Sequence, residues 1–178
     1  MDSINAQQPE INHEDLQDDK AMEKMKSLCE DKSCFFCTSS EKTGYIPTRP
    51  MSVQQVDEAG TLWFLSASDS KKNAEITINP TVRLYFQGSS YSDFLVLEGR
   101  ASISTDKEKI KELWKPILKT WFTEGIEDSR ITVIAVYPSE GYYWDTKHGR
   151  LVAFAKQIAG ALIGKTLDDS IEGKLSLR

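Results

Sequence analysis

Alternation of apolar and polar residues predicts a series of β-strands along this chain. The predicted strands cover residues 33–40 (SCFFCTSS), 61–68 (TLWFLSAS), 81–88 (TVRLYFQG), 92–105 (SDFLVLEGRASIST), 130–137 and 141–145. Runs with a period of two that are bounded by turn residues are typical of half-buried strands. The segment 45–56 is also β-prone, but Pro47 and Pro50 restrict it to an edge, a bulge or a strand end. Residues 57–60 (DEAG) are expected to form a hairpin turn.

A different pattern, with apolar residues at mostly helical spacing, predicts several helices. We expect helices at 14–30, 70–78 and 105–122, and a further packed helix at 151–163. Pro116 should kink or divide the third helix, because proline removes a backbone donor and clashes with the preceding turn. The residues from Lys165 onward are polar and are expected to be loose.

The order of these elements favours one fold class. The strands follow each other in hairpin-like order and do not alternate strictly with helices, which predicts a mainly β (α+β) fold with an antiparallel barrel and appended helices. The length of 178 residues suits a single globular domain. We expect a disordered lead at 1–13, the barrel with its helices at 14–150, and a C-terminal helix with a polar tail at 151–178.

Composition narrows the function classes. The formal charge is −5 and no basic stripe stands out, so nucleic acid is not an expected partner. No apolar run approaches the roughly 20 residues of a membrane span. The polar, acidic start lacks the pattern of a signal peptide, so a cytoplasmic location is expected. The odd count of three cysteines argues against a disulfide framework, and only two histidines are present, so no metal site is expected.

The first candidate for chemistry is the stretch Asp69-Ser70-Lys71-Lys72, at a predicted strand-to-helix junction. The start of a helix exposes unpaired N–H groups and favours an anion. Ser70 adds a hydroxyl and the lysines add charge, so a phosphate monoester would suit this place. A solvated helix cap is the alternative interpretation.

The second candidate is Arg49, within the β-prone segment. A charged side chain there must point outward or find an anion, because an unpaired buried charge is strongly unfavourable. If the strands on both sides of the 57–60 turn form one hairpin, Arg49 would lie near Lys72 and both could bind one phosphate. An exposed arginine paired with a surface carboxylate is the alternative.

These stretches, taken in order, resemble a known family. They are RPM (49–51), TLWFLSASDSKK (61–72), EITINPTVRLYFQG (75–88) and FLVLEGRASI (94–103). Together they resemble the FMN-binding split barrel of the pyridoxamine 5′-phosphate oxidase superfamily, and in particular its general stress protein 26 branch. Residues 109–129 and 142–145 (YYWD) also resemble that branch, so the resemblance covers about residues 20–150.

The resemblance implies a set of FMN-binding residues. They are Arg49, Pro50, Met51, Phe64, Leu65, Ser66, Ser70, Lys71, Lys72 and Trp144. Arg49 would contact the phosphate or ribityl chain, and residues 50–51 would run beside the isoalloxazine. Residues 64–66 lie on the strand that lines the cofactor, and residues 70–72 would hold the phosphate. Trp144 would reach the flavin from a second subunit, because the family's site lies between the subunits of a homodimer.

The expected function is that of an FMN-binding flavoprotein that is redox-active on a small molecule, with a nicotinamide or another small reductant as electron donor. No catalytic acid, base or nucleophile is evident, which is compatible with a cofactor that carries the chemistry. Two alternatives stay open: a protein that stores or senses FMN without turnover, and a split barrel that binds deazaflavin F420 or haem. Oxidation of vitamin B6 is not expected, because the oxidase-type C-terminal ending is absent.

Other conspicuous residues have simpler interpretations. Cys34 and Cys37 form a C-x-x-C on a predicted strand, where residues three apart face opposite sides, so a shared metal or bridge is not expected. His148 is interpreted as a surface residue, and Arg150 falls where the oxidases place a basic residue near the substrate. Trp121 is interpreted as helix packing, with a wall of the substrate pocket as the alternative.

Overall fold

The computed structural model describes residues 12–39, 45–89, 93–147 and 169–177. Within these ranges the strands are β1 (Leu16–Gln17), β2 (Ser33–Thr38), β3 (Thr48–Ser52), β4 (Gln55–Val56), β5 (Leu62–Ala67), β6 (Thr81–Gln87), β7 (Phe94–Ser104), β8 (Ile131–Thr146) and β9 (Ser170–Ser176). The helices are α1 (Asp18–Cys29), α2 (Lys71–Ile78) and α3 (Lys107–Leu113), and short 3-10 segments follow at Pro116–Thr120 and Gly125–Glu127.

The strands form one sheet in the order β1-β9-β8-β7-β6-β2-β3, with β5 paired to β8 and β4 to β5. Every pair is antiparallel except β1 with β9. The first part of β8 pairs with β5 and its last part with β9, so the sheet divides along this strand. The predicted fold class, mainly β and antiparallel with appended helices, is confirmed.

A register shift between Glu98 and Gly99 allows the long strands β7 and β8 to stay paired over their whole length. A Cβ atom at Gly99 would lie 2.4 Å from the carbonyl oxygen of Tyr137, closer than any side chain permits. Only glycine therefore allows the two backbones to approach at this point.

The main core lies inside the curved sheet and is closed on one side by α1. Phe36 of β2 and Phe64 of β5 are fully buried there, and their rings meet edge to face at 5.4 Å between centroids. Met25 and Leu28 of α1 belong to the same cluster. Apolar side chains at alternate positions of β2, β5 and β6 therefore pack into one hydrophobic core.

A second, smaller core covers the outer face of β5. Trp63 and Leu65 pack there against a cluster that contains Ile110 of α3, Leu118 and Phe122. Both faces of β5 are therefore covered, which explains why residues 61–68 form such a strong apolar run.

Several sequence predictions need correction in detail. The predicted helix at 14–30 is shorter and is preceded by β1. The division of the helix at 105–122 before Pro116 is as predicted. The strands expected at 130–137 and 141–145 are one continuous strand, β8. The expectation of a loose tail is wrong for residues 170–176, which form β9 between β8 and β1.

The ends of the predicted domains are only partly covered by the described residues. Residues 1–11 of the expected lead and the expected helix at 151–163 lie outside them, as do His148 and Arg150. Asn12 is buried and His13 pairs with Glu172 in a parallel bridge, so the expectation of a disordered lead is wrong for its last two residues.

Candidate functional site

A cavity of about 500 Å³ opens beside β3, β5 and the start of α2. Its size is in the range of about 300–1,000 Å³ that small-molecule sites occupy. It is lined by Ser33, Pro50, Met51, Ser52, Gln54, Leu65, Ser66, Ala67, Lys72, Leu118, Trp121 and Phe122. Five of the residues predicted to bind a cofactor are thus brought together: Pro50, Met51, Leu65, Ser66 and Lys72.

Local structure explains how each wall is positioned. β3 lies at the end of the sheet order, so the missing N–H of Pro50 does not interrupt the hydrogen bonds of a central strand. Ser33 of β2 is the register partner of Ser52, and their hydroxyls lie 2.9 Å apart. Sequence reasoning missed both serines, because the pairing of β2 with β3 was not foreseen.

The turn between β5 and α2 brings the lysine to the cavity. Ser70 is the N-cap of α2, its backbone N–H donates to the carbonyl of Ala67, and its side chain accepts from the N–H of Asn73. The predicted helix at 70–78 is therefore confirmed, with Ser70 as its N-cap and Ile78 as its last residue. Lys72 lines the cavity, whereas the neighbouring Lys71 is exposed and is not among the lining residues.

Lys72 is the only charged side chain among the described residues that line this cavity. Its partial burial, and then the nearby charge of Arg49, lower the pKa of Lys72 below its usual range. Within the described part of the chain it forms no ion pair. A half-buried ammonium group in these surroundings gains free energy from an anionic ligand, which would favour its charged form.

Arg49 lies close enough to influence Lys72, but it does not line the cavity. Its guanidinium donates to Glu75 at 2.7 Å and to Thr38 at 2.8 Å. The pairing with a carboxylate agrees with the alternative interpretation, but both side chains are partly buried and not exposed. Burial disfavours ionisation of Glu75, but hydrogen bonds from Thr38 and Arg49 outweigh it and lower the pKa of this carboxyl group.

The route by which Arg49 approaches Lys72 differs from the expected one. The 57–60 turn joins β4 to β5, while β3, which carries Arg49, pairs with β2. The expected single hairpin of the Arg49 strand with β5 is therefore wrong. The two cations come together because α2 folds back toward the β2–β3 edge, where Glu75 meets Arg49.

Phe64 requires a correction among the predicted site residues. Its ring is fully buried in the main core and is not among the residues that line the cavity. Alternation along β5 directs Phe64 and Leu65 to opposite faces, so only Leu65 of this pair presents its side chain to the cavity.

A buried polar network that sequence reasoning missed lies behind the start of α2. Asn73 is nearly inaccessible, and its side chain is hydrogen-bonded to Ser66, Ser70 and Thr132. The sequence carried a partial signal for it, since an N-cap serine often pairs with a polar residue three positions later.

Trp121 and Phe122 complete the far wall. Phe122 is buried and packs on Trp114 with 6.4 Å between ring centroids, as helix packing predicts. Trp121 is 63% exposed, so packing alone does not describe it, and it forms a wall of the cavity instead.

Trp144 lies elsewhere in this chain. It is 40% exposed on the outer face of β8 and lines a separate depression with Phe35, Tyr85 and Phe94. The ring of Tyr142 is 4.6 Å from that of Trp144. Four aromatic side chains thus form an apolar surface, defined here as the aromatic face: Phe35, Tyr85, Phe94 and Trp144.

Comparison with known proteins places this geometry in a family. The family model described as pyridoxamine 5′-phosphate oxidase like matches residues 20–168. This chain belongs to that family. The resemblance inferred from the sequence is therefore confirmed at the level of the superfamily.

Individual relatives agree with this assignment. Protein bli-3 of Neurospora crassa is 26% identical over 157 residues, which cover 83% of this chain and 75% of that protein. A solved structure from Jannaschia sp. CCS1, assigned as a general stress protein 26, superposes with a TM-score of 0.72 at 21% identity, over 89% of this chain and 98% of the other. The general stress FMN/FAD binding protein of Xanthomonas citri gives a TM-score of 0.57 at 20% identity, over 68% and 84%. At these identities the two solved structures establish the shared fold.

Among the described residues, no helix has the length and apolar character needed to cross a membrane.

Proposed function

We propose that this protein binds FMN in the cavity beside Lys72 and acts in redox chemistry on a small molecule. The observation that carries the proposal is a half-buried lysine, without an ion-pair partner in the described chain, that faces an otherwise uncharged cavity at a helix start. Family membership supports it, as does the name of the Xanthomonas citri relative, an FMN/FAD binding protein.

The lining residues fit the two parts of FMN. A phosphate group would find the Lys72 ammonium and the first N–H groups of α2 at one end of the cavity. A flat, largely apolar ring would find Met51, Leu65 and Trp121 along the rest of it. The single charged end favours one terminal phosphate group.

The lining also weighs against haem. Haem iron is held by an axial histidine, cysteine, methionine or tyrosine. The described lining residues include no histidine or cysteine, and the three cysteines of the chain are buried elsewhere. Met51 is the one residue of suitable type, and it lies beside Pro50 on an edge strand.

FMN, when bound, would supply transfer of a hydride or of single electrons. The residues of this chain would bind and orient it. Lys72 would hold the phosphate, while Trp121 and Leu118 would shield one side of the cavity from water. No side chain of the lining is assigned as an acid or base.

We further propose a homodimer in which the aromatic face defined above meets the partner and the partner's Trp144 completes the flavin site. Monomeric proteins rarely leave a large contiguous apolar patch exposed, and Phe35 and Tyr85 are 59% and 38% exposed on this face. Measurement of the mass in solution tests this assembly. A Trp144→Ala variant should dissociate more readily, and an FMN-binding monomer would overturn the shared site.

Reconstitution tests the function itself. The purified protein is mixed with FMN and freed of excess, and a bound flavin spectrum is expected. A protein that stays colourless and shows no FMN affinity, even after refolding with excess cofactor, overturns the proposal. Anaerobic mixing with NADH or NADPH then distinguishes an oxidoreductase from a protein that stores or senses FMN. Bleaching of bound flavin indicates an oxidoreductase, and its absence with every small reductant favours storage or sensing.

A further inference from the structure

We propose that Asn73 is a positioning residue for the phosphate end of the cavity. In this role it holds the first turn of α2 against β5 and β8, so that Lys72 and the N–H groups beside it keep a fixed orientation. The inference rests on the proposed binding of FMN and adds to it the determinant of phosphate recognition.

The contacts of Asn73 join three elements. Its Oδ1 accepts hydrogen bonds from Ser66 Oγ of β5 at 2.8 Å and from Ser70 Oγ at 3.1 Å. Its Nδ2 donates to Thr132 Oγ1 of β8 at 2.9 Å.

The network is closed around a buried side chain. Thr132 Oγ1 donates in turn to the carbonyl oxygen of Ser66 at 3.0 Å. Asn73 is 5% exposed, and both lone pairs of its carbonyl oxygen are occupied. A side chain held at three points cannot turn without breaking hydrogen bonds in a region that water does not reach, which is strongly unfavourable.

The helix itself needs such an anchor. α2 spans eight residues, and helices of that length are not stable in isolation. Its buried side chains are Asn73 and Ile76, so Asn73 is the only one of them in the first turn. Because Lys72 precedes Asn73 directly, the backbone direction at Asn73 determines where the Lys72 side chain leaves the helix.

The same network reaches the cavity surface. Ser66 both lines the cavity and donates to Asn73, and Ser70 Oγ lies 3.1 Å from Ser66 Oγ. The favourable interaction between an anion and a helix N-terminus depends on the geometry of the first helical turn and falls off beyond it. A buried amide behind this turn therefore acts on phosphate binding through Lys72 and the N–H groups beside it, without touching the ligand.

The test compares FMN with riboflavin, which has the same ring and chain but no phosphate. Asn73→Ala should weaken FMN binding at least tenfold while it changes riboflavin binding less than threefold. Asn79→Ala is the matched control, because Asn79 caps the end of the same helix and its side chain accepts one hydrogen bond, from the Thr81 N–H. This control should leave both affinities unchanged, and urea denaturation monitors the fold of each variant.

Thr132→Val provides a second variant that removes the acceptor of Asn73 Nδ2 with little change in shape. It should also lower the ratio of FMN affinity to riboflavin affinity, and it decides the question if Asn73→Ala does not fold. A wild-type protein that does not bind FMN overturns the proposed function and this inference with it. A wild-type protein that binds FMN, with variants that change both affinities in parallel or neither, overturns the role of Asn73 alone.

Discussion

Replacement of Lys72 by methionine is the sharpest test of how the cavity binds its ligand. The substitution keeps most of the length and apolar stem of the side chain and removes the only charge among the described lining residues. The adjacent Lys71→Met is a matched control, because Lys71 carries the same charge on the same helical turn but is exposed and does not line the cavity.

The size of the effect follows from the position of Lys72. Two unit charges about 4 Å apart near a protein surface attract by roughly 4 kcal/mol. Part of this is offset by the water that the ammonium and phosphate groups lose when they meet. A net loss of about 1.5–3 kcal/mol is typical of a hydrogen bond to a charged group. At about 1.4 kcal/mol per tenfold, Lys72→Met should raise the Kd for FMN roughly 10- to 150-fold.

The assay is a fluorescence titration of FMN and of riboflavin into wild-type protein and both variants. Lys72→Met should weaken FMN binding and leave riboflavin binding within about threefold of wild type, because riboflavin has no phosphate for Lys72 to bind. Repetition at higher ionic strength should reduce the difference between wild type and variant, since salt screens charge interactions.

Two outcomes would contradict this reasoning. If Lys71→Met weakens FMN binding as much as Lys72→Met, the effect is one of overall charge and not of the cavity. If Lys72→Met weakens riboflavin binding equally, the lysine supports the shape of the site and the phosphate is held elsewhere.

Three further predictions concern stability and reactivity. Burial lowers the pKa of Lys72 in the folded protein, so the unfolded chain binds more protons between that value and the usual 10.5. Lys72→Met should therefore raise the free energy of unfolding at pH 7, and this gain should shrink as the pH rises to 10.5. A gain in urea denaturation that does not depend on pH would contradict this. Phe64→Ala should lower the free energy of unfolding by about 3–5 kcal/mol in the same assay, whereas Ile78→Ala at an exposed position should change it by less than about 0.5 kcal/mol, and equal effects would refute the placement of Phe64 in the core. Burial raises the pKa of Cys29 and Cys34 from 9.0 to about 12, so the free energy of unfolding should fall as the pH rises from 9 toward 12. A thiol reagent at pH 8 should modify both cysteines only after unfolding, and rapid labelling of the folded protein would contradict this.

Features that depend on near neighbours were predictable from the chain alone. The alternation in β6 and β7, the division of the helix at Pro116 and the Ser70 cap of α2 follow from interactions over a few residues. The segment that carries Lys72 was found in the same way, since a polar cap after an apolar strand indicates a helix start.

Other features depended on partners distant in sequence. The tail strand β9 has few apolar residues, and it forms because β8 offers it an edge, about 30 residues earlier in the chain. The face to which Phe64 points was ambiguous, because both sides of β5 are covered by apolar groups. The pairing of Arg49 with Glu75 likewise required α2 to fold back on the β2–β3 edge.

The amino-acid sequence by itself determined most of the strands and helices, though not β1 or β9, and it indicated candidate residues for phosphate binding. Only the tertiary structure decided that Lys72 faces the cavity while Arg49 is held by Glu75, and that Asn73 bonds to Ser66 and Thr132 behind the start of α2. The physical reason is that hydrogen-bond and apolar patterns act over a few residues, whereas burial and ion pairing arise only when distant segments exclude water from each other.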